Sequence, residues 1–169
     1  MADEIVNRVA QSSLITIDLE DYYPEGHRVL IDLKDWLYEG LILREKKFRE
    51  AVKNHDWSKY RDCFVAIHCS SDAIIPAWAN LLITVQLESY AKLVVQGSLE
   101  NLETALYQEI LNKLDLSDYE NKPLIIKGCS NKPVPENAYV QLVQKLKPIA
   151  RSIMYGEACS SVPLFKKPK

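Results

Sequence analysis

At 169 residues the chain has room for one domain with a full core and little room for two. Its composition, 47% hydrophobic and 26% charged, is that of a soluble globular protein. A net charge of −2, from 21 basic and 23 acidic residues, argues against a broad electrostatic footprint for nucleic acid or anionic lipid.

Residues 4–11 read as one or two helical turns with Ile5, Val6 and Val9 on one side. Leu14 to Leu19 reads as a strand rich in β-branched residues. Pro24-Glu25-Gly26 is turn chemistry, and Arg28 to Leu33 is a second strand, so an N-terminal β-hairpin is expected. Asp35 is placed to cap a helix carrying Trp36, Leu37 and Leu41. A further helix at about 44–54 turns Phe48, Ala51 and Val52 inward. Residues 55–60 form a surface connection with a partly buried Trp57.

Strict alternation follows. Cys63 to His68 is an apolar strand ending at Cys69. Pro76 opens a helix to about Tyr90, with Trp78, Leu81, Leu82 and Val85 as its apolar face. Lys92 to Gln96 is a strand closed by Gly97. Ser98 caps a helix to about Leu114, with Leu99, Leu102, Leu106, Ile110 and Leu114 on one face. Pro123 to Lys127 is a strand closed by Gly128-Cys129. Pro135 starts a helix through Lys145, with Tyr139, Leu142, Val143 and Leu146 inward. Ile149 to Tyr155 is the last strand, followed by Gly156 and Cys159. Leu164 to Lys169, with three lysines, reads as a surface tail.

The expected fold is α/β: a mainly parallel, doubly wound three-layer sheet with the N-terminal hairpin and helices as an extension. The chain is expected to be a single domain, with residues 1–60 as the extension, 61–160 as the alternating core and 161–169 as a basic tail. In the usual doubly wound order the strand at 92–96 lies at the edge, followed by those at 63–68, 123–127 and 149–155. Such an order puts Cys69, Cys129 and Cys159 at neighbouring carboxyl ends, where these sheets take their ligands.

Each of the three cysteines precedes a serine, and two share the pattern C-S-x-x-P. Helices that begin shortly after Cys69 and Cys129 favour thiolates there. Three sulfur ligands suit zinc, copper(I) or an iron–sulfur cluster, and three protein ligands with an open position is the reactive zinc arrangement. Asp72, His68 and Glu157 are the candidate fourth ligands, water being the alternative. Two other readings stand beside this one. In the first, one of the cysteines is the nucleophile of a sulfur carrier or thiol enzyme. In the second, the thiols are inert and the protein is structural or partner-binding, as a strand-end cysteine often is. Cys63, inside its strand, is read as packing. His68 is expected as a hydrogen-bonded core residue, His27 and His55 as solvated. Asp18, Glu20, Asp21 and Asp32 are expected on a solvated acidic surface.

No C-x-x-C, G-x-G-x-x-G, P-loop or G-x-S-x-G occurs, so no nucleotide motif is present. No apolar run approaches the roughly 20 residues of a membrane span. Met1-Ala2-Asp3-Glu4 lacks the apolar core of a signal peptide, so the expected compartment is the cytoplasm. A homo-oligomer is compatible with Trp57 and the hairpin as a surface.

The stretches Asp18-Leu19-Glu20-Asp21-Tyr22-Tyr23-Pro24, Asp35-Trp36-Leu37-Tyr38-Glu39-Gly40-Leu41, Lys127-Gly128-Cys129-Ser130 and Gly156-Glu157-Ala158-Cys159-Ser160 carry a resemblance. With them the whole chain resembles an uncharacterised bacterial family, domain of unknown function 2480. The resemblance brings no established activity and no catalytic residues. It implies an association with sulfur mobilisation for iron–sulfur cluster assembly, with assembly proteins as partners.

Overall fold

The computed structural model describes residues 14–128, 131–157 and 160–168. The helix expected at 4–11 lies outside them. The fold is α/β with mainly parallel sheets, and the strands fall into two sheets instead of one. The chain divides into two compact units: residues 24–106, and residues 1–23 together with 107–169.

The unit of residues 24–106 holds strands β2 (Arg28–Asp32), β3 (Phe64–His68) and β4 (Leu93–Gln96), all parallel, in the order β2-β3-β4. Alternation along β3 sorts its side chains between two cores. Val65 and Ile67 join Ile31 and Leu33 against Phe48 and Val52 of α1 (Glu45–Asn54) and Ala79, Ile83 and Leu87 of α2 (Ala77–Leu87). Phe64 and Ala66 face Leu102 and Leu106 of α3 (Leu99–Lys113), giving three layers. Ser98 and Asn101 cap α3 reciprocally, the Asn101 amide donating to Ser98 Oγ at 3.2 Å and the Ser98 amide donating to Asn101 Oδ1 at 2.8 Å. Arg28 of β2 is fastened to Glu103 of α3 by two bonds, Nε to Oε1 at 2.7 Å and Nη2 to Oε2 at 3.2 Å.

The other unit holds β1 (Ile15–Ile17), β5 (Pro123–Ile126), β6 (Ser152–Glu157) and β7 (Ser160–Lys166), in the order β1-β5-β6-β7. Only β7 is antiparallel, against β6. Leu124, Ile126 and Ile153 pack with Ala138, Leu142 and Leu146 of α4 (Glu136–Leu146) and with Tyr107 and Leu111. Tyr107 Oη donates to the Leu19 carbonyl at 2.9 Å.

The two sheets share a register. Ile67 lies opposite Gln96 as Ile126 lies opposite Tyr155; Phe64 lies opposite Leu93 as Pro123 lies opposite Ser152. Pro76 and Pro135 cap their helices at the same distance from these strands, and the buried Ala79, Ile83 and Leu87 match Ala138, Leu142 and Leu146. The first strands correspond too. Ile17-Asp18-Leu19 and Ile31-Asp32-Leu33 each end a strand, and each aspartate caps a short 3-10 turn by accepting from an amide two residues on.

Several expectations are corrected. β1 and β2 form no hairpin, because each pairs in parallel with a later strand of its own sheet. β3 is not beside β5; its neighbours are β2 and β4. The expected adjacencies of β3 with β4 and of β5 with β6 hold. Residues 33–42 are a 3-10 turn and a tight Tyr38–Ile42 bridge, with Glu39 and Gly40 at positive φ, so the helix expected after Asp35 does not form. The tail strands up as the edge strand β7, whose ladder with β6 pairs the backbone groups on that side. In α2 the buried residues are Ala79, Asn80, Ile83 and Leu87, while Leu81 and Val85 are exposed. That helix is apolar nearly all round, so periodicity could not choose its face.

Candidate functional site

Parallel strands present their carboxyl ends on one edge of a sheet. In the sheet of β1, β5 and β6 that edge carries Asp18, Lys127 and Glu157 directly after or at the ends of the strands. Lys127 Nζ donates to Asp18 Oδ2 at 2.6 Å, and the Glu20 amide donates to Asp18 Oδ1 at 2.9 Å. Burial pushes the Asp18 carboxyl up, but those two bonds and the charges of Lys127 and Lys132 outweigh it, and its pKa is lowered. The bond from Asp18, chiefly, raises the Lys127 pKa, and the charges of Asp18, Glu20 and Glu157 add to it against partial desolvation.

The β5–α4 loop is tied to the β1 side. Glu20 Oε1 accepts from the Asn131 amide and from the Lys132 amide, the latter at 3.3 Å, and Lys132 Nζ donates to the Glu20 carbonyl at 3.3 Å. On the other side of the loop, Tyr155 Oη donates to the Gly128 carbonyl at 3.4 Å. Cys129 and Ser130, between these fastened ends, lie outside the described residues, as do Ala158 and Cys159. By chain position Cys129 follows Gly128 at the end of β5, and Cys159 stands between the paired residues Glu157 and Ser160 that join β6 to β7.

The sheet of β2, β3 and β4 bears Cys69 on its own carboxyl edge. The thiol lies 3.3 Å from Ser71 Oγ. Asp32 Oδ1 accepts from the Lys34 and Ser70 amides, each at 3.0 Å. Burial raises the Asp32 pKa, but its bonds from Ser70 and Lys34 and the nearby His68 outweigh that and lower it. A cavity of about 150 Å³ opens here, lined by Leu33, Ile67, His68, Cys69, Asn80 and Gln96 among others. His68, expected in the core, is half-buried at the cavity wall. Asp72 is exposed and lines a separate surface groove with Leu41, Ile74 and Trp78.

Cys69 therefore belongs to a different sheet from the strands that precede Cys129 and Cys159. Cys63 is buried and Cys69 half-buried, both as free thiols. Among the described residues, no group of three or more His, Cys, Asp or Glu side chains is arranged to hold a metal ion. Among them, too, no helix is long and apolar enough to cross a membrane.

Sequence reasoning assigned Asp18 and Glu20 to a solvated surface; the structure puts both in the strand-end network. The repeated Ile-Asp-Leu-x-Asp at 17–21 and 31–35 is the signal that marks both aspartates as caps at the ends of equivalent strands.

The model of the family described as "Protein of unknown function (DUF2480)" matches residues 3–167. No curated protein matches the chain, and no solved structure does.

Proposed function

Since the chain belongs to the DUF2480 family, whose activity is not established, we propose a function from its own residues: thiolate-based handling of a metal or of sulfur, with Cys129 and Cys159 as the working pair. The observation that carries this reading is the parallel pairing of β5 with β6. Neighbouring strands run about 4.8 Å apart, so the segments leaving them start close together. Of the last described residues before the two cysteines, Glu157 ends β6 and Gly128 lies two residues beyond β5.

Two lysines flank Cys129 in the chain, Lys127 and Lys132, and α4 begins shortly after it. A helix N-terminus shortly after a thiol favours the thiolate, the form that binds metal and attacks sulfur. Two thiolates with the Glu157 carboxylate nearby in sequence suit zinc, with room for water or substrate. Soft thiolates equally suit iron–sulfur chemistry. Cys69 was grouped with the pair because β3 was expected beside β5; with that adjacency gone, it is left out of the ligand set, and Asp72 and His68 with it.

The test is metal analysis with an absorption spectrum, on tag-free protein purified without oxygen. About one zinc per chain, or iron with visible absorption, supports the reading, provided Cys129→Ser and Cys159→Ser each lose it. Metal content unchanged in both variants contradicts it. The sulfur-carrier form predicts instead a metal-free protein in which one of the two cysteines alone reacts rapidly with iodoacetamide.

A further inference from the structure

The cavity at the carboxyl edge of β2, β3 and β4 is lined, among the described residues, wholly by the unit of residues 24–106. Its inner wall is apolar, from Leu33 and Ile67, which are 1% exposed each. Into that wall α2 places Asn80, a polar residue only 8% exposed. No hydrogen bond to the Asn80 side-chain amide is present among the described residues; only its backbone carbonyl is engaged, by Thr84 Oγ1 at 2.9 Å. The amide therefore opens on the cavity, where a guest can hydrogen-bond to it in place of water. Gln96 supplies a second amide at the mouth, and the Cys69 thiol and His68 imidazole complete the polar side.

The matching positions of the other unit carry different side chains. Tyr139 stands where Asn80 does and Tyr155 where Gln96 does, their rings edge to face at 5.8 Å. Gly128 stands in the place of Cys69, and a Cβ there would meet the Tyr155 ring at 3.1 Å. Two aromatic rings in contact thus stand in one sheet at the positions that two amides take in the other.

We propose that this cavity binds a small neutral molecule of the carboxamide class, held by Asn80 and Gln96 with the Cys69 thiol against it. Each amide offers both a donor and an acceptor, and a primary carboxamide answers both. Among the described residues no Lys, Arg, Asp or Glu lines the cavity, so neither an anion nor a cation is matched by their side-chain charge. A space of about 150 Å³ is the size that takes a guest of about six non-hydrogen atoms.

Acrylamide is the direct probe. The Cys69 sulfur bonds to its β-carbon, the C=C π pair moves to the α-carbon, and the thiol proton ends there. Modification of each cysteine is followed by peptide mass spectrometry. The proposal expects the rate at Cys69 to saturate with acrylamide, while Cys129 and Cys159 respond linearly. Propionamide, unreactive and of like shape, should slow Cys69 about ten-fold at about ten times its own dissociation constant. Asn80→Leu should abolish both saturation and protection, with Cys63 still unreactive as the sign of an intact fold. A rate at Cys69 that is linear in acrylamide and indifferent to propionamide, or no modification of Cys69 at all, would overturn the proposal in the wild-type protein alone.

Discussion

Around the carboxyl edge of β2, β3 and β4 stand two amides, an imidazole and a thiol, bordering a cavity. On the corresponding edge of β1, β5 and β6 stand two tyrosines, an Asp18–Lys127 ion pair and a glycine. Strand order, register, helix length and helix-capping proline agree between the two. The same backbone scheme is therefore finished in two ways. One edge is fastened by an ion pair and a pair of rings, with Cys129 and Cys159 following its strands in the chain; the other borders a cavity, with Cys69 in the wall. Framework residues and site residues are separable here because the aliphatic positions match while the strand-end positions do not.

α3 fastens both first strands, by different chemistry. Glu103 holds Arg28 through two charged bonds with side chains only 7% and 13% exposed, whereas Tyr107 holds the Leu19 carbonyl through one neutral bond. Glu103→Ala removes the carboxylate from a nearly buried ion pair, leaving the guanidinium its bonds to the Pro24 and Gly26 carbonyls, and should cost about 3–5 kcal/mol in denaturant unfolding. Tyr107→Phe leaves one carbonyl unsatisfied and should cost about 1–3 kcal/mol. Equal losses would show that charge burial does not distinguish the two fastenings.

The matching glycines sharpen the comparison further. Gly97 and Gly156 both hold φ in the left-handed half of the map, at +138° and +120°. A Cβ on Gly156 would lie 2.6 Å from the Ser160 backbone carbonyl, across the β6–β7 ladder. On Gly97 the obstacle is the Asn101 side chain, which can turn away at the loss of the α3 cap. Gly156→Ala should cost about 2–4 kcal/mol and Gly97→Ala about 1–2 kcal/mol, measured by thermal unfolding. The reverse order would mean that the hairpin yields more easily than the cap.

The smallest effects are those of pH. Asp18 and Asp32 titrate below their ordinary value in the folded protein, so both contribute stability that is complete above about pH 4 and lost as pH falls through the folded value. Asp18→Asn and Asp32→Asn should each flatten the acid limb of a stability–pH curve. His55 packs against Trp36, Trp57 and Tyr60, and burial, with Lys59, lowers its pKa against the pull of Asp56. The unfolded chain thus binds its proton first, and stability should begin to fall below about pH 6.5. His55→Gln should remove that step and leave the acid limb of the aspartates; an unchanged curve would contradict it.

Much of the fold was legible in the chain. The strands at 63–68, 92–96 and 123–127 and the helices between them follow from apolar runs punctuated by proline and glycine, which act locally. What was not legible was partnership. β1 finds β5 across most of the chain, and a short strand carries no mark of so distant a neighbour. Nearness in sequence therefore favoured a hairpin of β1 with β2, and the usual doubly wound order favoured β3 beside β5; neither pairing forms. Asn80 was invisible for another reason: in an apolar helix, one polar residue gives no sign of which face it takes.

Zinc protection of the individual cysteines tests the central claim most directly. Metal-free protein is alkylated with iodoacetamide with and without one equivalent of zinc, and each cysteine is quantified. If the two edges do separate work, zinc slows Cys129 and Cys159 together and leaves Cys69 at its metal-free rate. Protection of Cys69 along with them would contradict the account, and protection of none of the three would contradict its metal-binding form.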